Sequence, residues 1–138
     1  MSTLEAVRDY LRLLPGLEDL SLDVLDLEHG AVCLRPAAVE PVQRAYLDGS
    51  VLRQELFDLW ARRGSHGGDE ARQTDLDWLS ELSETLETNT RRRDLPRLGG
   101  GRRAWALRAV TTPAPEILQA NGLLVDQITL RLDYFMEG

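Results

Sequence analysis

The stretch LVDQITLRLDYFMEG, Leu124 to Gly138, decides the fold class. Ile128, Leu130, Leu132 and Tyr134 alternate with Gln127, Thr129, Arg131 and Asp133. That is the period-2 pattern of a strand with one buried and one wetted face. Upstream, Trp105, Leu107 and Ala109 repeat the alternation between Arg102 and Thr111. Pro113, Pro115 and Asn121-Gly122 mark the intervening residues as a loop.

Further back the period changes from two to about three and a half. From Glu70 to Thr90, Leu76, Leu79, Leu82 and Leu86 line one helical face, flanked by Trp78. Asp75, Asp77, Glu81, Glu84 and Glu87 fall outside that face. At 1.5 Å per residue this helix is about 30 Å long. The tract 91–103 ends it with Pro96 and Gly99-Gly100-Gly101.

Ahead of the helix, Asp48-Gly49 is a hairpin signal after Val42 to Leu47. Residues 51–63 fit a helical stripe through Leu52, Leu56 and Trp60 as well as a strand, and the preceding hairpin turn decides for the strand. Residues 62–69 read as a loop. Leu20, Leu22 and Val24 alternate before the phase slips to Leu25 and Leu27, as a bulge or the meeting of two short strands produces. His29-Gly30 turns into a short strand, Ala31 to Arg35, closed by Pro36. Ser2-Thr3-Leu4-Glu5 has capping-box spacing. Leu4, Val7, Leu11 and Leu14 then predict a helix over residues 3–14, stopped by Pro15-Gly16. The order predicts a single α+β domain over residues 1–138, a mostly antiparallel sheet flanked by an N-terminal helix and one long central helix.

A chain of 138 residues, 43% hydrophobic, buries one core without disulfides or metal. The lone Cys33, in the apolar run Ala31 to Leu34, reads as a small buried hydrophobe. No run reaches the roughly 20 apolar residues of a membrane span, and the first residues lack a signal-peptide layout, so a cytosolic site of synthesis is expected. A net charge of −7 argues against general nucleic-acid binding. All sixteen basic residues are arginine, which suits fixed interface pairs better than lysine does.

Catalytic chemistry finds little support. His29 and His66 sit beside glycines with no cysteine or second histidine at ligand spacing. Ser65-His66 lacks a nucleophile elbow. Gly99-Gly100-Gly101 precedes a strand and lacks the lysine ending of a phosphate loop, so flexibility is its simpler reading. The carboxylates of the long helix read as a solvated face, since no other segment supplies convergent oxygens. No catalytic, cofactor-binding or metal-ligating residue is expected, and enzymatic activity is not.

The charge anomaly is arginine. Arg91, Arg92, Arg93, Arg97, Arg102 and Arg103 against Asp94 make residues 91–103 net +5, leaving −12 for the rest. In a self-associating protein this basic loop meets the acidic helix face of a neighbour, Glu81, Glu84 and Glu87, in a head-to-tail contact that closes into a ring. Compensation of the helix macrodipole by Arg91 to Arg93, or contact with nucleic-acid phosphates, are the alternatives.

The segments Val42-Gln43-Arg44-Ala45-Tyr46-Leu47-Asp48-Gly49-Ser50, Leu52-Arg53-Gln54, Asp77-Trp78-Leu79, Asn89 to Leu95-Pro96 and Leu130-Arg131-Leu132-Asp133-Tyr134-Phe135 carry a resemblance. In order and spacing they resemble a family of tailed-bacteriophage minor capsid proteins of the tail terminator, or tail-completion, kind. The likeness runs over about residues 40 to 138. Residues 97–103 and the proline-rich loop at 113–116 depart from the family pattern. The resemblance implies a strand at 51–61 and a ring, expected to be six-fold, that caps the tail tube, stops its polymerisation and offers the head its attachment surface. Implied partners are further copies of the chain, the tail tube protein, head-tail connector or neck proteins, and the sheath of a contractile tail, with DNA only as cargo. No membrane partner is implied. Location would be the virion, and the host cytoplasm during assembly. Subunit, tube and head contacts are expected in the loops 62–69, 91–103 and 113–122. A connector or stopper ring of the neck is the alternative, and a small acidic secretion chaperone a more distant one.

Overall fold

The computed structural model describes residues 2–22, 32–37, 42–62, 69–117 and 124–136. The capping box forms as the sequence spacing demands: Glu5 N–H donates to Ser2 Oγ at 3.1 Å and Ser2 N–H to Glu5 Oε1 at 3.1 Å. It opens α1, Thr3–Leu11. The helix ends three residues short of the predicted Leu14, because a residue preceding proline is driven from the α region by the Pro15 ring. Leu13 and Leu14 instead bond back to Tyr10 and Leu11 in tighter turns.

Among the described residues six strands follow the order β1 Val32–Pro36, β2 Val42–Ala45, β3 Val51–Ala61, β4 Arg102–Ala109, β5 Ala114–Ile117 and β6 Leu124–Met136. The long helix α2 spans Asp69–Arg91 between β3 and β4. All pairings between these strands are antiparallel. The two longest strands, β3 and β6, pair along their length from Val51↔Met136 to Ala61↔Asp126. β1 and β2 lie end to end along the free side of β3, and β4 and β5 along the free side of β6. The molecule is therefore α+β with a mostly antiparallel sheet.

Register sorts the side chains. Phe57 and Leu59 pair with Leu130 and Ile128, and all four are buried. Leu34 opposite Leu59 and Leu107 opposite Leu132 extend the same apolar surface sideways. The core adds Ala6, Val7, Tyr10 and Leu11 from α1 and Leu79, Leu82 and Leu86 from α2. α2 contacts β4 and β6, and α1 contacts β1. Burying about a dozen large side chains, at roughly 1.5 to 3 kcal/mol each, is the main force holding these layers together.

Several expectations need correction. Residues 114–117, assigned to a loop, form β5; Pro113 and Pro115 look like breakers, but an edge strand tolerates a proline whose missing donor faces away from the ladder. Trp105 does not share a face with Leu107. A register shift between Ala104 and Ala106 bulges it out of the ladder, leaving it 45% exposed. Asp133 and Asp75 are buried rather than wetted. Asp133 lies on a central strand, where Arg131 pairs with it at 3.1 Å. Asp75 falls within the buried arc of α2, which centres on Leu79, Leu82 and Leu86 and leaves Leu76 half-buried. Of the expected strand at 20–24, residues 20–22 are described, and among them Ser21 bridges the sheet, to Cys33. The phase slip, both histidines and most of the 62–69 loop lie outside the described residues.

Both outer edges are partly closed. Ser21 exchanges backbone bonds with Val32 and Leu34 on β1. On β4, the Thr90 hydroxyl donates to Leu107 O at 2.9 Å and accepts from Leu107 N–H at 3.1 Å, satisfying the strand's outward backbone pair.

Candidate functional site

The C-terminal end of α2 shapes the basic tract. Asp94 N–H bonds Asn89 O at 2.9 Å and Arg93 N–H bonds Thr90 O at 3.2 Å, the paired bonds of a Schellman ending. Such an ending needs a left-handed residue, normally glycine. Here Arg93 takes it, at φ 63°. Its guanidinium compensates by lying over the Trp105 ring, 4.1 Å from the centroid. Asn89 donates to Tyr10 Oη and the Tyr10 hydroxyl to Asp94 O, which ties this turn to α1. Burial, ahead of the neighbouring Asp94 charge, pushes the Tyr10 phenol above its ordinary range and keeps it a donor.

The three glycines are a tight turn rather than a flexible spacer. Gly99, Gly100 and Gly101 all have positive φ, and Arg102 N–H closes the turn on Gly99 O at 3.1 Å. Positive φ at both central residues, Gly100 and Gly101, is the requirement of a type I′ turn. A Cβ at Gly99 or Gly101 would meet open space, so backbone conformation alone calls for glycine there. Arg102 locks the turn by donating from Nε to Gly99 O and from Nη2 to Leu98 O.

These two turns wall a depression of about 680 Å³ lined by Arg93, Arg97, Arg102 and Arg103 with Trp105 and Pro96. Phe135 meets Trp105 edge-on at 5.8 Å and Tyr46 at 6.2 Å, so an aromatic row runs from the depression towards the β2–β3 turn. That turn is a three-residue loop, Leu47-Asp48-Gly49, with Gly49 at φ 88°. Asp48 accepts from Ser50 N–H and Oγ, bonds that hold its carboxyl below the usual range. Leu47 at its tip is fully exposed.

Of the six arginines singled out by sequence, four meet around the depression. Arg91 and Arg92 stay exposed at the helix end and do not line it. Among the described residues, the Arg97 and Arg103 guanidiniums have no ion-pair or hydrogen-bond partner. Glu81 and Glu84 are exposed on α2, whereas Glu87 is engaged by Arg108 at 3.2 Å. Trp105, Phe135 and Tyr46 escaped the sequence reading as site residues, because strand alternation places Trp105 in the core unless a bulge is foreseen. Among the described residues no group of three or more His, Cys, Asp or Glu could hold a metal ion. No helix among them is long and apolar enough to cross a membrane. Compared with models of known protein families and with curated proteins, the chain matches none.

Proposed function

We propose that the chain is a structural virion protein: a ring-forming cap, of six copies, that sits on the last ring of a phage tail tube, stops its growth and presents the surface for the head. In this reading the N-terminal helix and the long central helix flank one face of the sheet, and assembly uses the surfaces they leave. The observation that carries it is the gathering of Arg93, Arg97, Arg102 and Arg103 into one depression on a chain whose residues outside 91–103 sum to −12. A surface so segregated suits a head-to-tail contact between copies, and such a contact closes into a ring when the rotation between neighbours is a whole fraction of a turn.

Two further features support this reading. The backbone groups of β4 at Leu107 are satisfied by Thr90, which favours association through side chains over strand addition. The exposed Tyr46, Leu47 and Trp105 offer an apolar surface for the tube protein or the neck. The protein acts without catalysis, in the virion and, during assembly, in the host cytoplasm. Electron microscopy of particles assembled without this chain tests the proposal. Overlong or irregular tails without heads are expected. Tails of normal length beside filled, tailless heads would move the ring to the neck as a connector.

A further inference from the structure

The ring reading leaves open which surfaces meet, and the inference below rests on it. Many charges of this region are already committed. Arg102 holds the carbonyls of Leu98 and Gly99, and Glu87 pairs with Arg108. Arg97 and Arg103 are uncommitted among the described residues, and Arg93 is pinned in place by its backbone turn and by Trp105. On α2, Asp77, Glu81 and Glu84 follow one another at i, i+4 and i+7 and are exposed, opposite the buried stripe of Leu79, Leu82 and Leu86.

We infer that the depression around Arg93, Arg97, Arg103 and Trp105 receives the Asp77, Glu81 and Glu84 stripe of α2 from a second copy of this chain. Pairing within one copy is excluded by geometry. The stripe lies roughly 10 to 20 Å back along the same rigid helix whose end forms the depression, at 1.5 Å per residue. Guanidinium forks match carboxylates in paired hydrogen bonds, and a fork held in place before contact loses less entropy on binding. A concavity of about 680 Å³ admits several carboxylate side chains from one helical ridge. Single-stranded nucleic acid fits less well. One face of Trp105 is covered by Arg93, which obstructs base stacking, and the surrounding chain is strongly acidic.

Charge exchange between copies is the test. Two double variants are made, Arg97→Glu with Arg103→Glu, and Glu81→Arg with Glu84→Arg; all four side chains are exposed, so folding is retained. Sedimentation velocity at low salt should show each variant alone associating on the order of a hundredfold more weakly than the unaltered chain. An equimolar mixture should recover association, because each variant's reversed surface then meets its opposite. Association of the unaltered chain that is indifferent to both variants, or weakened by them without recovery in the mixture, overturns the pairing and leaves the ring reading standing. An unaltered chain that stays monomeric overturns both. Loss of oligothymidylate binding in the Arg97→Glu and Arg103→Glu variant, with association unchanged, assigns the depression to nucleic acid and also overturns the pairing.

Discussion

Replacing Thr90 by valine tests how α2 is fastened to the sheet. Valine matches threonine in shape, so the change removes the hydroxyl and little else. In the native protein that hydroxyl serves both backbone groups of Leu107, and Thr90 is only 5% exposed. With valine, a buried N–H and a buried carbonyl of an edge strand lose their partners. Each unsatisfied group costs about 1 to 3 kcal/mol, so the variant should lose roughly 3 kcal/mol. For a chain of this length that corresponds to a fall in Tm of about 10 °C. Urea denaturation should show a lower midpoint at unchanged slope, since the surface exposed on unfolding is the same. Thr90→Ser keeps the hydroxyl and should lose only about 1 kcal/mol from the missing methyl. Hydrogen exchange at the Leu107 amide should accelerate in the valine variant and not in the serine one. A loss below about 0.5 kcal/mol for Thr90→Val would refute the reasoning, by showing that water or a strand shift replaces the hydroxyl at no cost.

Other perturbations probe the turn, the core and the ionisable groups. Arg93→Gly relieves a left-handed penalty of roughly 1 kcal/mol but loses a cation–π contact of about 0.5 to 1 kcal/mol, so stability should hardly change. Arg93→Ala keeps the penalty and loses the contact, and denaturation should place it about 1 kcal/mol below Arg93→Gly. Leu132→Asp puts a charge into the centre of the core, where Leu132 is fully buried, and circular dichroism should show an unfolded chain. Burial first, and then its bond to Glu55, raise the Tyr134 phenol above the ordinary 10.0. Its contribution is therefore complete below about pH 10 and lost as pH rises through the folded value. Tyr134→Phe should cost about 1 kcal/mol at neutral pH and flatten the alkaline decline in stability, measured by urea titration at stepped pH.

Strands and helices were legible where burial is one-sided. Ile128, Leu130, Leu132 and Tyr134 alternate because a single sheet face meets the core, and Leu79, Leu82 and Leu86 recur because one helical arc does. The capping box was legible because its two bonds depend only on local spacing. What stayed hidden depends on neighbours distant in sequence. β5 exists because β6 supplies a ladder to it, which the composition of Ala114 to Ile117 does not announce. The bulge at Trp105 answers the register of β4 against β6. The arginine cluster was visible as composition, but its division into committed Arg102, stacked Arg93 and, among the described residues, uncommitted Arg97 and Arg103 follows from two turns. One of these, the left-handed Arg93, breaks the usual preference for glycine and carries no local signal.

The central claim is that copies of this chain close into a ring through side-chain surfaces. Negative-stain electron microscopy of the purified chain at low salt tests it most directly, with class averages read for closure and symmetry. The account predicts closed six-fold rings that dissociate as salt screens the exposed charge pairs. Isolated monomers at every ionic strength, or open filaments in place of rings, would contradict it.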